Sequence, residues 1–236
     1  VTATTDLDLT IKLIAGNGTI VASTTLPCAV LPDHARSRPG RHVSVSDPSG
    51  IWDLADCLIS DGHSVTEHDA ADLIVASRLQ ASDLELADDG AHLLLLVRSA
   101  DALTPGLPLG RPVAVQPRWP DPTRPGADLT WSGDWISSFS WILPGLSDDL
   151  PRRAPLDFVY AQVLPDQVLC GYDATLHADE VSAGMFVGWI HDPVALIWSF
   201  SHGHGRVTVT TLKVAPERGP IATVLRDALI AGAARY

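Results

Sequence analysis

Hydrophobic and polar positions alternate along two stretches near the start of the chain. Leu7, Leu9, Ile11 and Leu13 stand two apart with polar residues between them, and a second alternating run extends from Thr19 to Leu31. Period two marks a half-buried strand, and Ala15-Gly16-Asn17-Gly18 between the runs supplies turn residues. Residues 1–35 are therefore expected to form a β-hairpin unit. Two strands alone are marginal in water, so the hairpin should either complete a β-sandwich with strands lying upstream or pack on the domain that follows. Residues 32–41 mix Pro, Gly, Ser and charge without a period, as a linker does.

Beyond the linker the pattern changes. His42 to Asp47 reads as a short strand, Ser49 as a cap, and Ile51, Leu54, Cys57 and Leu58 have helical spacing that Gly62 ends. HSVTE and DLIVAS read as strands, SDLELADDG as an amphipathic helix, and the unbroken leucines of AHLLLLVRS as a strand covered on both faces. Short buried strands alternating with helices predict an α/β domain over residues 40–236, built on a parallel, doubly wound sheet. Residues 104–155 break the rhythm with ten prolines and four of the seven tryptophans, so they are expected to be a long, packed insertion or a set of surface loops. VALIWSFSH and GRVTVTTLKV then read as two strands around His202-Gly203-His204-Gly205, with a last helix from about Gly219 to Ala234.

Composition narrows the classes of function. The formal charge of -12 comes from 28 acidic against 16 basic residues, and only Glu67, Glu85, Glu180 and Glu217 among the acids are glutamates. Such a surface repels phosphate backbones and argues against nucleic acid as a partner. No apolar run approaches the roughly 18 residues of a spanning helix, which argues against membrane insertion. Cys28, Cys57 and Cys170 are odd in number and widely spaced, which excludes a fully paired disulfide framework and supplies no metal-ligand doublet. Val1 opens the sequence and Met185 is its sole methionine, so the chain is expected to start downstream of its own translational start. Oligomeric state, with a homo-oligomer among the options, and compartment stay open.

Candidate chemistry is sparse. Glycosidase chemistry needs two carboxylates flanking one bond, and Asp88-Asp89 and Asp148-Asp149 are neighbours whose side chains should diverge. His202 and His204 flank a glycine at a hairpin tip with no third ligand in sequence reach, so neither metal nor cofactor is expected. Asp47-Pro48-Ser49-Gly50 lacks a phosphate-loop pattern and reads as a turn and cap. A thiol nucleophile would need a cysteine on a tight strand-to-helix turn, as in class I amidotransferases. The equivalent turn here, after AHLLLLV, is Arg98-Ser99-Ala100. Cys170 before Gly171, with His177 or His191 as base, is the remaining thiol candidate. The densest unusual feature is WSGDWISSFSWI, in which Trp131, Asp134, Trp135 and Trp141 could line a glycan site, dock a catalytic domain, or only pin down an irregular region.

That tryptophan segment, followed by PLDFVYAQVLPDQVLCGYD and AGMFVGWIHDPVALIWSFSHGHGRVTVTTLKV, resembles the carboxy-terminal region of a group of glycoside hydrolase family 2 enzymes. The opening hairpin resembles the last strands of the immunoglobulin-like domain of those enzymes. The resemblance implies a terminal amidotransferase-like domain that has lost its catalytic residues, with the two catalytic glutamates in an upstream barrel. It thus implies a non-catalytic accessory piece of a β-galactosidase- or β-glucuronidase-like enzyme, whose partner is that barrel. Two alternatives stand beside it: a carbohydrate-binding module using Trp131 to Trp141, and a hydrolase dependent on Cys170.

Overall fold

The structure is a computed structural model, and it describes residues 4–31, 41–48, 50, 53–67, 71–118, 139–143, 146–147, 150–151, 156, 158–171, 173–187 and 192–232. Residues 32–40 of the expected linker at 32–41 lie outside them. So do the cap at Ser49 and the Asp148-Asp149 pair.

The hairpin forms as its pattern predicts. β1 (Thr5–Ile14) and β2 (Ile20–Val30) pair antiparallel with Leu9 opposite Leu26 and Leu13 opposite Ala22. Gly18 closes the turn at φ +83°, a backbone that side chains rarely adopt, with its N–H on the Ala15 carbonyl at 2.8 Å. Leu7, Leu9, Ile11 and Leu13 share one face with Leu26 and Cys28, yet these four residues of β1 are 46–62% exposed. β2 meets the rest of the chain beside a 3-10 turn at Phe158–Tyr160, and Leu31, just after the strand, packs on the core.

The body is α/β, with one mixed sheet and few helices. β3 (His42–Ser46), β4 (Ser64–Val65), β5 (Leu73–Ala76), β6 (His92–Leu96) and β12 (Gly205–Thr210) run parallel in the spatial order β4-β3-β5-β6-β12. Between β6 and β12 the chain builds the rest of the sheet. β7 (Ala114–Pro117), β8 (Phe139–Ile142), β9 (Gln167–Cys170), β10 (Val181–Val187) and β11 (Asp192–His202) pair antiparallel, and β12-β11-β10-β8 continues the row. β9 joins β11 to β7 off that path.

Two expectations are corrected here. The sheet is mixed, because β11 returns to β12 through a tight hairpin and a two-strand hairpin can only be antiparallel. Residues 104–155 are not only loops, since β7 and β8 are strands of the sheet.

All five residues of β6 are buried, and alternation sends them to opposite sides. Leu94 and Leu96 join Leu73 and Val75 of β5 under α1 (Leu54–Ser60) and α3 (Pro220–Gly232). Leu93 and Leu95 join Ile74, Val207 and Val209 under α2 (Ala81–Asp88). The covering helices on the first side are tied by an ion pair: Arg226 of α3, 2% exposed, places Nε at 2.8 Å and a terminal nitrogen at 2.6 Å from Asp61 Oδ2 after α1. The same guanidinium donates to the Val214 carbonyl at 2.5 Å.

Candidate functional site

In α/β sheets ligands bind beyond the carboxyl ends of the parallel strands. Those ends here carry Asp47 after β3, Ser77 after β5, Arg98 after β6, and Thr211 to Lys213 after β12. One half of this crest is a closed hydrogen-bonded set. Ser77 Oγ donates to Asp47 Oδ1 at 2.5 Å, Gln80 Nε2 donates to Ser46 Oγ at 2.6 Å, and the fully buried Asp83 accepts the Gln80 N–H at 3.0 Å. Ser77 therefore spends its proton on a carboxylate.

The turn after β6 carries no thiol and no strain. Ser99 is extended at φ −152°, a 3-10 turn follows over Ala100–Ala102, and the Ser99 hydroxyl donates to Asp101 Oδ1. That hydrogen bond holds the exposed Asp101 carboxyl below the usual range. A nucleophile elbow instead holds its residue on a sharp, strained turn; among the described non-glycine residues only Asp53 has a positive φ.

The other half of the crest is a cationic cleft of about 180 Å³ over β6 and β12. Arg98, Lys213 and Arg218 line it with Asp166, Gln167 and Thr211. Lys213 Nζ stands 2.7 Å from Asp166 Oδ2, and Arg98 stands 3.8 Å from Glu217 Oε1. Burial pulls the Arg98 guanidinium below the usual arginine value, while Glu217 pulls it back up.

A second polar cluster lies on the α2 side of the sheet. Glu180 receives Arg111 on both oxygens, at 3.1 and 2.5 Å, and the indole N–H of the fully buried Trp198 at 3.0 Å. His177 Nδ1 is 3.5 Å from the same carboxylate, and Arg111 lies over the Phe200 ring at 5.7 Å. The Arg111 hydrogen bond, and then that of Trp198, hold the Glu180 carboxyl below the usual range against the opposing effect of burial. A carboxylate so fully engaged is a poor general base and a good structural pin. Arg111 and Glu180 are 69 positions apart, so spacing could not have paired them.

Trp131, Asp134, Trp135 and His191 lie outside the described residues. Trp141 is on β8, half-buried, with its ring over Gly184 of β10: a Cβ there would meet Trp141 Cζ2 at 2.7 Å. Cys170 is buried in the core at the end of β9, whereas His177 faces Glu180. All three cysteines are free thiols. His202 and His204 sit at the β11–β12 hairpin against the end of α2, with His202 Nε2 3.4 Å from Asp88 Oδ1 and His204 Nδ1 3.0 Å from the Asp88 carbonyl. Among the described residues no three His, Cys, Asp or Glu side chains group to hold a metal.

Comparison with protein-family models gives no match, and comparison with curated proteins gives none either.

Proposed function

We propose that this chain is a non-catalytic accessory region of a glycoside hydrolase, serving to pack and shape a catalytic barrel elsewhere in the same protein. The observation that carries the proposal is the outward row of Leu7, Leu9, Ile11 and Leu13. A water-facing strand row of that kind is a surface made to be covered, and a β-sandwich completed by another segment of the protein covers it. The resemblance to family 2 enzymes supplies the parent, and the thiol-free, unstrained turn at Arg98-Ser99-Ala100 is consistent with a domain that does no chemistry.

We further infer that the body is a doubly wound domain of the flavodoxin or amidotransferase type with an antiparallel extension. The parallel order β4-β3-β5-β6-β12 and the placement of α2 opposite α1 and α3 support this.

Hydrogen exchange tests the docking directly. Amides of β1 and β2 should exchange faster in this chain alone than in the parent protein that carries the barrel. Equal protection in both would remove the hairpin from the interface and the proposal with it.

A further inference from the structure

We propose that the outer edge of β2 pairs with the same edge of a second copy of this chain, joining two hairpins into one four-stranded antiparallel sheet. The hairpin is a sheet of two strands, and among the described residues β1 is the only strand paired with β2. Two strands are marginal in water, and three or more make a sheet stable in its own right. An open edge offers its backbone N–H and C=O groups to any strand that reaches it, unless charge, proline or a bulge blunts it. β1 carries Asp6, Asp8 and Lys12, whereas β2 carries no charged residue along its whole length. Two interruptions bound the usable part of β2. Val21 is left over as an extra residue where Ala22 faces Leu13 and Ile20 faces Ile14, and Pro27 has no N–H to donate. Between them, Ala22 to Leu26 is regular, uncharged and free of proline and glycine, and Ala22 to Thr25 are exposed.

This segment is complementary to itself. A two-fold axis through Thr24 sets Thr24 opposite Thr24, Ala22 opposite Leu26 and Ser23 opposite Thr25. Apolar side chains and the paired threonines then meet on one face and hydroxyls meet on the other, and such cross-strand pairs stabilise a sheet. The register also keeps the faces in step. Ala22, Thr24 and Leu26 lie on the side of Leu13, Ile11 and Leu9, so the apolar row of one hairpin runs on into that of the other. A one-residue slip would turn one row to the opposite face. Charge favours this strand for the contact, because two copies that each carry a formal -12 repel, and the paired segment brings none of that charge to the axis. A pairing of this length is a small interface, so the dimer is weak and concentration-dependent. It uses the edge of β2, while docking on a barrel uses the face of β1, so either can fail without the other.

Sedimentation of the full chain from micromolar to millimolar concentration tests the proposal, and a reversible monomer–dimer equilibrium is expected. Thr24→Lys sets two like charges directly opposite each other at the axis and should weaken the dimer severalfold or more. Its thermal unfolding should match that of the native chain, since the body lies elsewhere. A second variant reads the register. Directly opposed residues of antiparallel strands stand at a Cα separation a disulfide can bridge. In a Cys28→Ser background, Thr24→Cys should therefore give a disulfide-linked dimer on mild oxidation, while Thr10→Cys on β1 should stay monomeric. A monomer at every concentration would overturn the proposal, and so would pairing of this edge only with another segment of the parent protein. A dimer that Thr24→Lys leaves intact, or cross-linking as ready at Thr10 as at Thr24, would overturn it as well.

Discussion

Removing the carboxylate of Glu180 is the sharpest perturbation of the body's packing. In Glu180→Ala the indole N–H of Trp198, at 3.0 Å in a fully buried ring, loses that acceptor. Removing one partner of a buried hydrogen bond costs about 1–3 kcal/mol. Arg111 loses a two-point contact as well, and since its side chain is 29% exposed that part is held to about 1 kcal/mol. The sum is about 2–4 kcal/mol, or roughly 5–15 °C in melting temperature for a chain of this size. Glu180→Gln keeps a carbonyl acceptor for the indole and should lose only about 1 kcal/mol. Urea unfolding at neutral pH measures all three proteins. The folded carboxyl lies below its ordinary value of about 4.3. Its charge-dependent contribution is therefore complete above that pH, and it is lost as pH falls through the lower folded value. The gap between the native chain and Glu180→Gln should close in that acid window. A loss below about 0.5 kcal/mol in Glu180→Ala, or a Gln variant as damaged as the Ala variant, would refute the reasoning.

Three further outcomes are expected. Gly184→Ala should destabilise by about 1–3 kcal/mol in thermal unfolding, because the new Cβ would lie 2.7 Å from Trp141 and 2.9 Å from the Val194 carbonyl. Arg226→Ala should cost about 3–5 kcal/mol by leaving Asp61 beside an emptied, buried site, and a paired Arg226→Met, Asp61→Leu change should lose less in the same assay. In timed alkylation read by mass spectrometry, half-buried Cys28 should react first. Cys57 should lag, since burial pushes its thiol up and away from the reactive thiolate.

The strands and helices with clean periods were legible from residue order alone. The hairpin, β3, β5, β6, β11, β12 and all three helices fall where alternation or helical spacing puts them. β7, β8, β9 and β10 were not. β7 ends on Pro117, β8 sits in a proline-rich stretch, and β10 contains Gly184, each of which reads against a strand. Gly184 is there because Trp141 leaves no room for a side chain, a reason that exists only once β8 and β10 are paired. The missing thiol at Arg98-Ser99-Ala100 could be read from the turn after a leucine run. The cationic cleft could not, because Arg98, Asp166 and Lys213 meet only through the order of β6, β12 and the segment before β9.

The central claim is that this chain does no chemistry of its own. Incubating it with a panel of aryl β-glycosides and aryl esters, with chromophore release followed over hours, tests that claim most directly. No release above the buffer blank is expected. Turnover of a glycoside would contradict it, and turnover of an ester abolished by Cys170→Ser would replace it with a thiol hydrolase.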